Sequence, residues 1–483
     1  MNYFLGVDIG TTSVKAIAFN ESGELICKQS VGYEMQHPRA NYSELNAHEI
    51  LDAVILSINK IAITLEPAKA TFISFSAMMH SIIAVDENGE LLTNCVIWAD
   101  NRAAGIADNL CNSDVGKSFY HATGVPIHAM SPLCKMLWLK ENEPAIFSDA
   151  FKFIGIKEFV CHKFCDEYLV DTSIASSTGL LNLKSLQWDK NVLDFLEISP
   201  TSLSKIVSPK HQIKYKKDFH NNKPLLIPDD TVLIVGGSDG TLANLGTGSV
   251  DASSIAITIG TSAAARIVVD KIETDDRMRT FCYHLKDNLY VIGGPSNNGA
   301  VVLEWLKDKL LETTETLPEL FSKAEKVEPG SDDLLFIPYI LGERAPVWNS
   351  NAKGVFFGLN INHTKSHLIR ACMEGVIYSV YSIAKMLLEK RVITQIHATG
   401  GFAQSPLWVQ MLADVCNIKV LVSATVESSA LGAVMVGMEA IGQEPFSVKE
   451  IMSSYEPNLF SHKIYMKSFE KFERIYESLK EEW

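Results

Sequence analysis

A chain of 483 residues, 47% hydrophobic and 21% charged, is long enough for two cores and too apolar for wholesale disorder. Its formal charge of -14 repels nucleic acid and anionic membrane, so neither is expected as a partner. Nine cysteines without CxxC or CxxCH spacing fit reduced, mostly buried thiols rather than a disulfide framework.

The start, Met1 to Gly6, carries no basic n-region or cleavage pattern, and no uninterrupted apolar run reaches the ~18 residues of a spanning helix. The expected location is cytoplasmic. An apolar strand from Tyr3 to Val7 ends at Asp8, turns through Gly10-Thr11-Thr12-Ser13 and returns from Val14 to Phe19. Such a corner offers backbone N–H groups and hydroxyls to a phosphate, and an acid beside it calls for a cation such as Mg²⁺. A simple hairpin with Gly10 in its turn is the competing reading. After the Asn20-to-Gly23 turn a third strand runs from Glu24 to about Tyr33. Asn46 caps a helix whose Ile50, Leu51, Val54, Ile55, Ile58, Ile61 and Leu65 share a face, and Pro67 stops it. Strands follow at Thr71–Phe75 and Ile82–Val85, and another runs from Leu91 to Trp98. Gly116-Lys117-Ser118 imitates the end of a P-loop, but Cys111 occupies the required glycine position. Cys161 and Cys165 flank His162; two core thiols on a helix are expected in preference to a zinc site.

Alternating strands and helices continue to Ile234, as in an α/β architecture. A strand over Val232–Val235 then enters the glycine-rich Gly236-Gly237-Ser238-Asp239-Gly240. At Ser254 to Val269 the opening hairpin recurs, with Gly260-Thr261-Ser262 as its corner, 250 positions after Gly10. Two copies near the starts of two halves imply a duplicated domain, with a nucleotide held in a cleft between one phosphate corner from each half. Later elements are a helix from Glu304 to Leu311, a long helix capped by Ser366, and a strand over Gln395–Ala398. That strand runs into Thr399-Gly400-Gly401, before a helix that resumes at about Ser405. The Gly400-Gly401 pair suits either a flat ring against bare backbone or a tight strand-to-helix turn.

Two phosphate corners, a late Gly-Gly turn and Gly237-Ser238-Asp239-Gly240 together resemble the FGGY carbohydrate kinases, members of the actin-like ATPase superfamily. Gly354-Val355-Phe356-Phe357-Gly358-Leu359 with His367 to Gly375, and Gly400 to Ser405 with Trp408, Gln410, Ala413 and Asp414, are similar to the family's C-terminal signature. Met79-His80-Ser81 with Ile97 to Arg102, Thr123 to His128 with Pro132 to Lys135, and Ser173 to Leu180 look like gluconate kinases. The resemblance implies an α/β fold of two duplicated actin-like (ribonuclease H-like) domains, each a mixed β-sheet flanked by helices. They are expected at 1–245, with substrate site and first phosphate loop, and 246–483, with second phosphate loop and adenosine site.

The implied activity is ATP-dependent phosphorylation of D-gluconate at its 6-hydroxyl. Xylulose or another polyol as acceptor, and a non-catalytic actin-like nucleotide switch or sugar sensor, are the alternatives. Asp239 matches the family's catalytic base. Asp8 would hold Mg²⁺, and Thr11, Thr12, Ser13 and Lys15 would face the phosphates with Gly260, Thr261 and Ser262. Gly400, Gly401, Gln404 and Gly299 are assigned to the nucleotide. For the acceptor the candidates are Met79, His80, Trp98, Arg102, Lys135 and Asp239, with His128 and Lys157 as further groups for the acid. Arg102 can grip a carboxylate in two places or, alternatively, pair with Asp100. A homodimer is a family-level expectation.

Overall fold

A computed structural model describes residues 2–483 except 217–223, 229, 424–426 and 448–450. The chain divides into two compact units. The first is Met1–Gly248 with Asp270–Val291 and Glu427–Val448; the second is Ser249–Val269 with Ile292–Val426 and Lys449–Trp483. The first break thus falls three residues beyond the expected 245. Two segments expected in the second half, carrying the strand Phe281–Lys286 and the helix Ser428–Ala440, pack in the first unit. The reason for the helix is apolar burial: its Ala430, Leu431, Val434 and Met438 form one core with Phe4, Ile17, Phe19, Phe72 and Ile234.

The first unit's six-stranded sheet has the order Gln212–Ile213, Val232–Ser238, Lys69–Ala77, Asn2–Ile9, Ser13–Phe19, Leu25–Gly32. Asn2–Ile9 is antiparallel to Ser13–Phe19 and parallel to Lys69–Ala77, which is parallel in turn to Val232–Ser238. Residues Tyr3 to Val7 are buried without alternation, as in a central strand covered on both faces. The opposite face from the Ser428–Ala440 helix is covered by the Ala47–Thr64 helix. Asn46 caps that helix by accepting from His48 N at 3.0 Å and Glu49 N at 3.4 Å. Its buried Ile50, Leu51, Val54, Ile55, Ile58 and Ile61 each gain about 1.5–3 kcal/mol by leaving water.

The second unit repeats the plan. Its strands lie in the order Leu289–Ser296, Ala263–Val269, Ser254–Ile259, Gln395–Thr399, Lys419–Ser423, Ile451–Tyr455. Ser254–Ile259 is again antiparallel to its hairpin partner and parallel to the next strand inward, Gln395–Thr399. Parallel pairing continues to Lys419–Ser423, and the edge strand Ile451–Tyr455 is antiparallel, as Gln212–Ile213 is in the first sheet. The duplication inferred from two short corners therefore extends to whole sheets.

Three local expectations change. The long helix, Lys365–Leu388, is capped by Thr364 with His367, not by Ser366; the hydroxyl two residues earlier has the extended backbone a cap needs. The helix from Val301 continues after Trp305 as a π-helical turn, Leu306–Leu310. Leu91 makes only a bridge to Val85, and Cys95–Val96 pairs with Glu44–Leu45 instead of forming a long return strand. Lys365–Leu388 is also apolar enough over 18 residues to span a membrane, but 78% of that stretch is buried in the structure, as in a core helix. Gly116-Lys117-Ser118 lies inside the Asp114–Thr123 helix. Cys161 and Cys165 are buried on the Ile156–Cys165 helix, where burial raises both thiols; no cluster of three metal-ligating side chains occurs among the described residues.

Candidate active site

In the first unit three parallel strands stop level with one another: Ile9 is paired with Ala77, and Ala77 with Ser238. The residues that follow are the Gly10 corner, the Met78–Ser81 segment and Asp239. Adjacent strands are about 4.8 Å apart, so all three segments leave the sheet within roughly 10 Å. Ligands of open α/β sheets bind at this carboxyl end of the strands.

The corner closes through Gly10 N donating to Ser13 O at 3.1 Å, and Tyr33 holds it from behind by hydrogen-bonding Gly10 O. Asp8 is the acid at the strand's end. Its Oδ1 accepts from Ser76 Oγ at 2.8 Å, and burial raises its pKa against the opposing pull of Ser76, Lys15 and Ser429. Lys15, opposite Asp8 in the hairpin, is not a loose surface charge. Its ammonium meets Glu427 at 3.2 Å, and the same carboxylate is bonded by Lys28. Oxygen donors with one strand-end carboxylate suit Mg²⁺ held largely through water. Thr12 is exposed, whereas Thr11 is half-buried and accepts from Trp98 Nε1 at 2.9 Å. Thr11 also donates weakly to Met78 Sδ, at 3.8 Å. The Gly10 corner is thereby joined directly to the segments that carry Met78 and Trp98.

Asp239 is the first residue of the Asp239–Thr247 helix, which Ser238 caps by accepting from Thr241 N. A helix start favours a carboxylate there. Asp239 Oδ1 accepts from Gly240 N at 2.6 Å, and the side chain is half-buried. Behind it, Ser173 Oγ lies 3.0 Å from Ser238 Oγ and 2.8 Å from Thr241 Oγ1. Lys157, expected near substrate, is buried beneath this segment: its amine pairs with Asp171 at 2.5 Å and donates to Gly237 O at 3.1 Å. It braces the Asp239 turn and does not face an acceptor.

His80 has a left-handed backbone, φ 65°, and is 5% exposed. Its Nδ1 lies 2.8 Å from Ser177 O, and its ring meets Tyr283 edge to face at 5.9 Å. Met79 and Trp98 are half-buried beside it in sequence and through Thr11. Arg102 takes its alternative use. Asp100 receives its Nε and NH2 at 2.9 Å each, Glu44 receives NH2, and the guanidinium lies 3.9 Å from the Tyr42 ring. With two carboxylates around it, the fork is already occupied. Lys135 is 1% exposed and donates to the carbonyls of His80 and Ile97. Burial lowers its amine to about 7. His128 is also turned inward, accepting from Met130 N at 3.2 Å.

In the second unit Gly260 N donates to Ser262 O at 2.9 Å, reproducing the first corner with one residue fewer. Thr258 stands where Asp8 stands in the first copy, so only the first corner carries an acid. Gly299 packs on the second corner: a Cβ there would lie 2.4 Å from Gly260 O and 2.5 Å from Ser262 O. Gly400, φ 97°, follows the neighbouring strand, and its Cβ would meet Ile259 O at 2.4 Å. Gly260, Thr261, Ser262, Gly299 and Gly400 thus converge at one sheet end, with Gly401 and Gln404 exposed next to them. Glu343 was not singled out from sequence. It is fully buried and accepts from Ser296 Oγ, Asn297 N, Asn298 Nδ2 and Ser379 Oγ, fixing the segment that delivers Gly299. Burial raises its pKa. Its signal was an acid in Gly342-Glu343-Arg344, directly after the apolar run Leu334–Leu341. The signature residues Arg370 and Glu374 form a buried pair at 2.9 Å, and Trp408 Nε1 donates to Met373 O; these build the core.

Duplicated sheets, each ending in a glycine and hydroxyl corner, with a carboxylate at a helix start next to one of them, are an arrangement suited to phosphoryl transfer. The FGGY carbohydrate kinase N-terminal domain matches residues 3–246 and the C-terminal domain residues 255–441. A gluconokinase of Bacillus licheniformis is 44% identical over 100% of this chain and 97% of its own. Two solved structures from Lactobacillus acidophilus, a gluconate kinase and a ligand-bound xylulose kinase, each superpose with a TM-score of 0.95 at 35% identity. Both cover 99% of this chain, and 98% and 99% of their own. The chain belongs to the FGGY family of carbohydrate kinases. It is a carbohydrate kinase, and membership implies ATP as the phosphoryl donor.

The second corner gives a test that does not depend on the sugar. Gly299→Ala must displace two carbonyls of the corner, so the KM for ATP is expected to rise about tenfold or more. The KM for the sugar should stay within about twofold. Initial rates with each substrate varied in turn measure both; equal rises in the two constants would show general disruption.

Proposed function

We propose that the chain phosphorylates D-gluconate at its 6-hydroxyl, yielding 6-phospho-D-gluconate and ADP. The observation that supports the chemistry is the level ending of the Ile9, Ala77 and Ser238 strands, beyond which the Gly10 corner, the Met78–Ser81 segment and Asp239 follow. The full-length similarity to a protein named gluconokinase supports the choice of acceptor. In this reading Asp239 accepts the proton of the 6-hydroxyl as its oxygen attacks the γ-phosphorus and the bond to the β,γ-bridging oxygen breaks. Met79, His80 and Trp98 orient the acceptor, and the Trp98–Thr11 bond keeps it in register with the first corner. Asp8 would hold Mg²⁺, which would supply positive charge against the phosphates. In the second unit Gly260, Thr261 and Ser262 receive phosphate, and Gly400, Gly401 and Gln404 receive adenosine.

Xylulose is the competing acceptor, because a xylulose kinase superposes as well as a gluconate kinase does. Coupled measurement of ADP release over gluconate, xylulose, glycerol, ribulose and fuculose decides. The expected result is a kcat/KM for gluconate at least about tenfold above every other acceptor. Preference for xylulose would overturn the substrate, and no stimulation by any of the five would overturn the activity.

A further inference from the structure

Lys135 is a buried amine with an unusual set of partners. It projects from the Pro132–Asn142 helix, and its nitrogen donates to His80 O at 2.6 Å and Ile97 O at 2.7 Å. No carboxylate of the described residues lies within ion-pair distance of it; the nearby Asp100 is engaged by Arg102 and by Ser43 N. The two carbonyls belong to the two acceptor segments, 55 and 38 residues away in sequence. One follows His80 in its left-handed conformation, and the other directly precedes Trp98, whose indole is bonded to Thr11.

We propose that Lys135 is a positioning residue that clamps the His80 and Trp98 segments to one another and so sets the sugar site relative to the first phosphate corner. Peptide planarity supplies the mechanism. A carbonyl aimed at the amine turns the N–H of the same peptide the opposite way, so one amine orients the Ser81 and Trp98 N–H groups together. An amine retains two N–H donors whether or not it carries the third proton, and two carbonyls are what it meets. The clamp also explains why a lysine, with its point-like head, stands here and an arginine fork does not. Lys135 itself does not reach the sugar, being 1% exposed.

The proposal rests on the kinase reading above, and its test uses whichever acceptor the unaltered protein prefers. Should the protein phosphorylate none, that reading fails at this first step, and equilibrium titration with gluconate replaces the sugar KM. Lys135→Met removes both donors while keeping the length of the side chain. The sugar KM is expected to rise about tenfold or more, with the KM for ATP within about twofold of the starting value. Lys135→Gln, which restores an NH2 head on a shorter stem, should recover part of the sugar affinity. Thermal melting and ADP titration of both variants report whether the fold is kept. A folded Met variant with an unchanged sugar KM overturns the proposal, as do equal rises in both KM values. Failure of both variants to fold also overturns it, in favour of a purely structural lysine.

Discussion

Asp239→Asn is expected to lower kcat by a factor of about 10²–10⁴, the range a positioned general base supplies. The substitution preserves shape and keeps an acceptor oxygen for Gly240 N, which Asp239 holds at 2.6 Å. It removes the capacity to take a proton. Because the residue opens a helix, the lost charge costs about 0.3–1 kcal/mol of stability, too little to unfold the unit. The hydroxyl group of Ser173, Ser238 and Thr241 behind the turn is untouched. ADP affinity by titration calorimetry should therefore stay within about twofold, since none of the second-unit groups proposed for the nucleotide is altered. A parallel loss of nucleotide affinity and turnover would make Asp239 a support of the Gly-rich turn and return the search for the base to the other acceptor segments.

The corners were legible because their chemistry is local. An apolar run, an acid or hydroxyl, a glycine and a hydroxyl pair sit within ten residues, and the second copy is recognisable without any knowledge of partners. The Asn46 cap and the helix it opens were legible for the same reason. What chain order conceals is who spends a polar group on whom. Arg102 reads either as a fork for a ligand carboxylate or as a partner of Asp100 until Glu44, 58 residues earlier, closes on it together with Asp100. Lys135 and Lys157 read as cations for an acid group, yet both amines are consumed by backbone carbonyls or a buried acid from distant segments. The Ser428–Ala440 helix likewise lies late in sequence but fills the core under the first strands, because its apolar residues complete that surface. Glu343 escaped notice since its partners Ser296, Asn297 and Asn298 lie over forty residues earlier, and the set is completed only when Ser379 of the long helix arrives.

Lys157→Met is expected to cost about 3–5 kcal/mol of stability, the penalty for stranding a buried charge. Lys157 and Asp171 are 2% and 0% exposed, and their charged atoms are 2.5 Å apart. With the lysine gone, the Asp171 carboxylate keeps one useful bond, from Ile174 N at 2.9 Å at the start of the Thr172–Ser176 helix, and loses its counter-ion. Denaturant titration followed by a probe in the first unit reads the loss. Replacing both partners, as Lys157→Met with Asp171→Leu, should recover all but about 2 kcal/mol, because an apolar pair of similar volume is close to neutral and only the helix cap and the bond to Gly237 O remain lost. The single variant also frees Gly237 O, two residues before Asp239, so kcat should fall while the sugar KM changes little. If Lys157 instead gripped the acid group of the acceptor, the pattern would reverse. Stability would hold, the KM for gluconate would climb, and neutral acceptors would be unaffected.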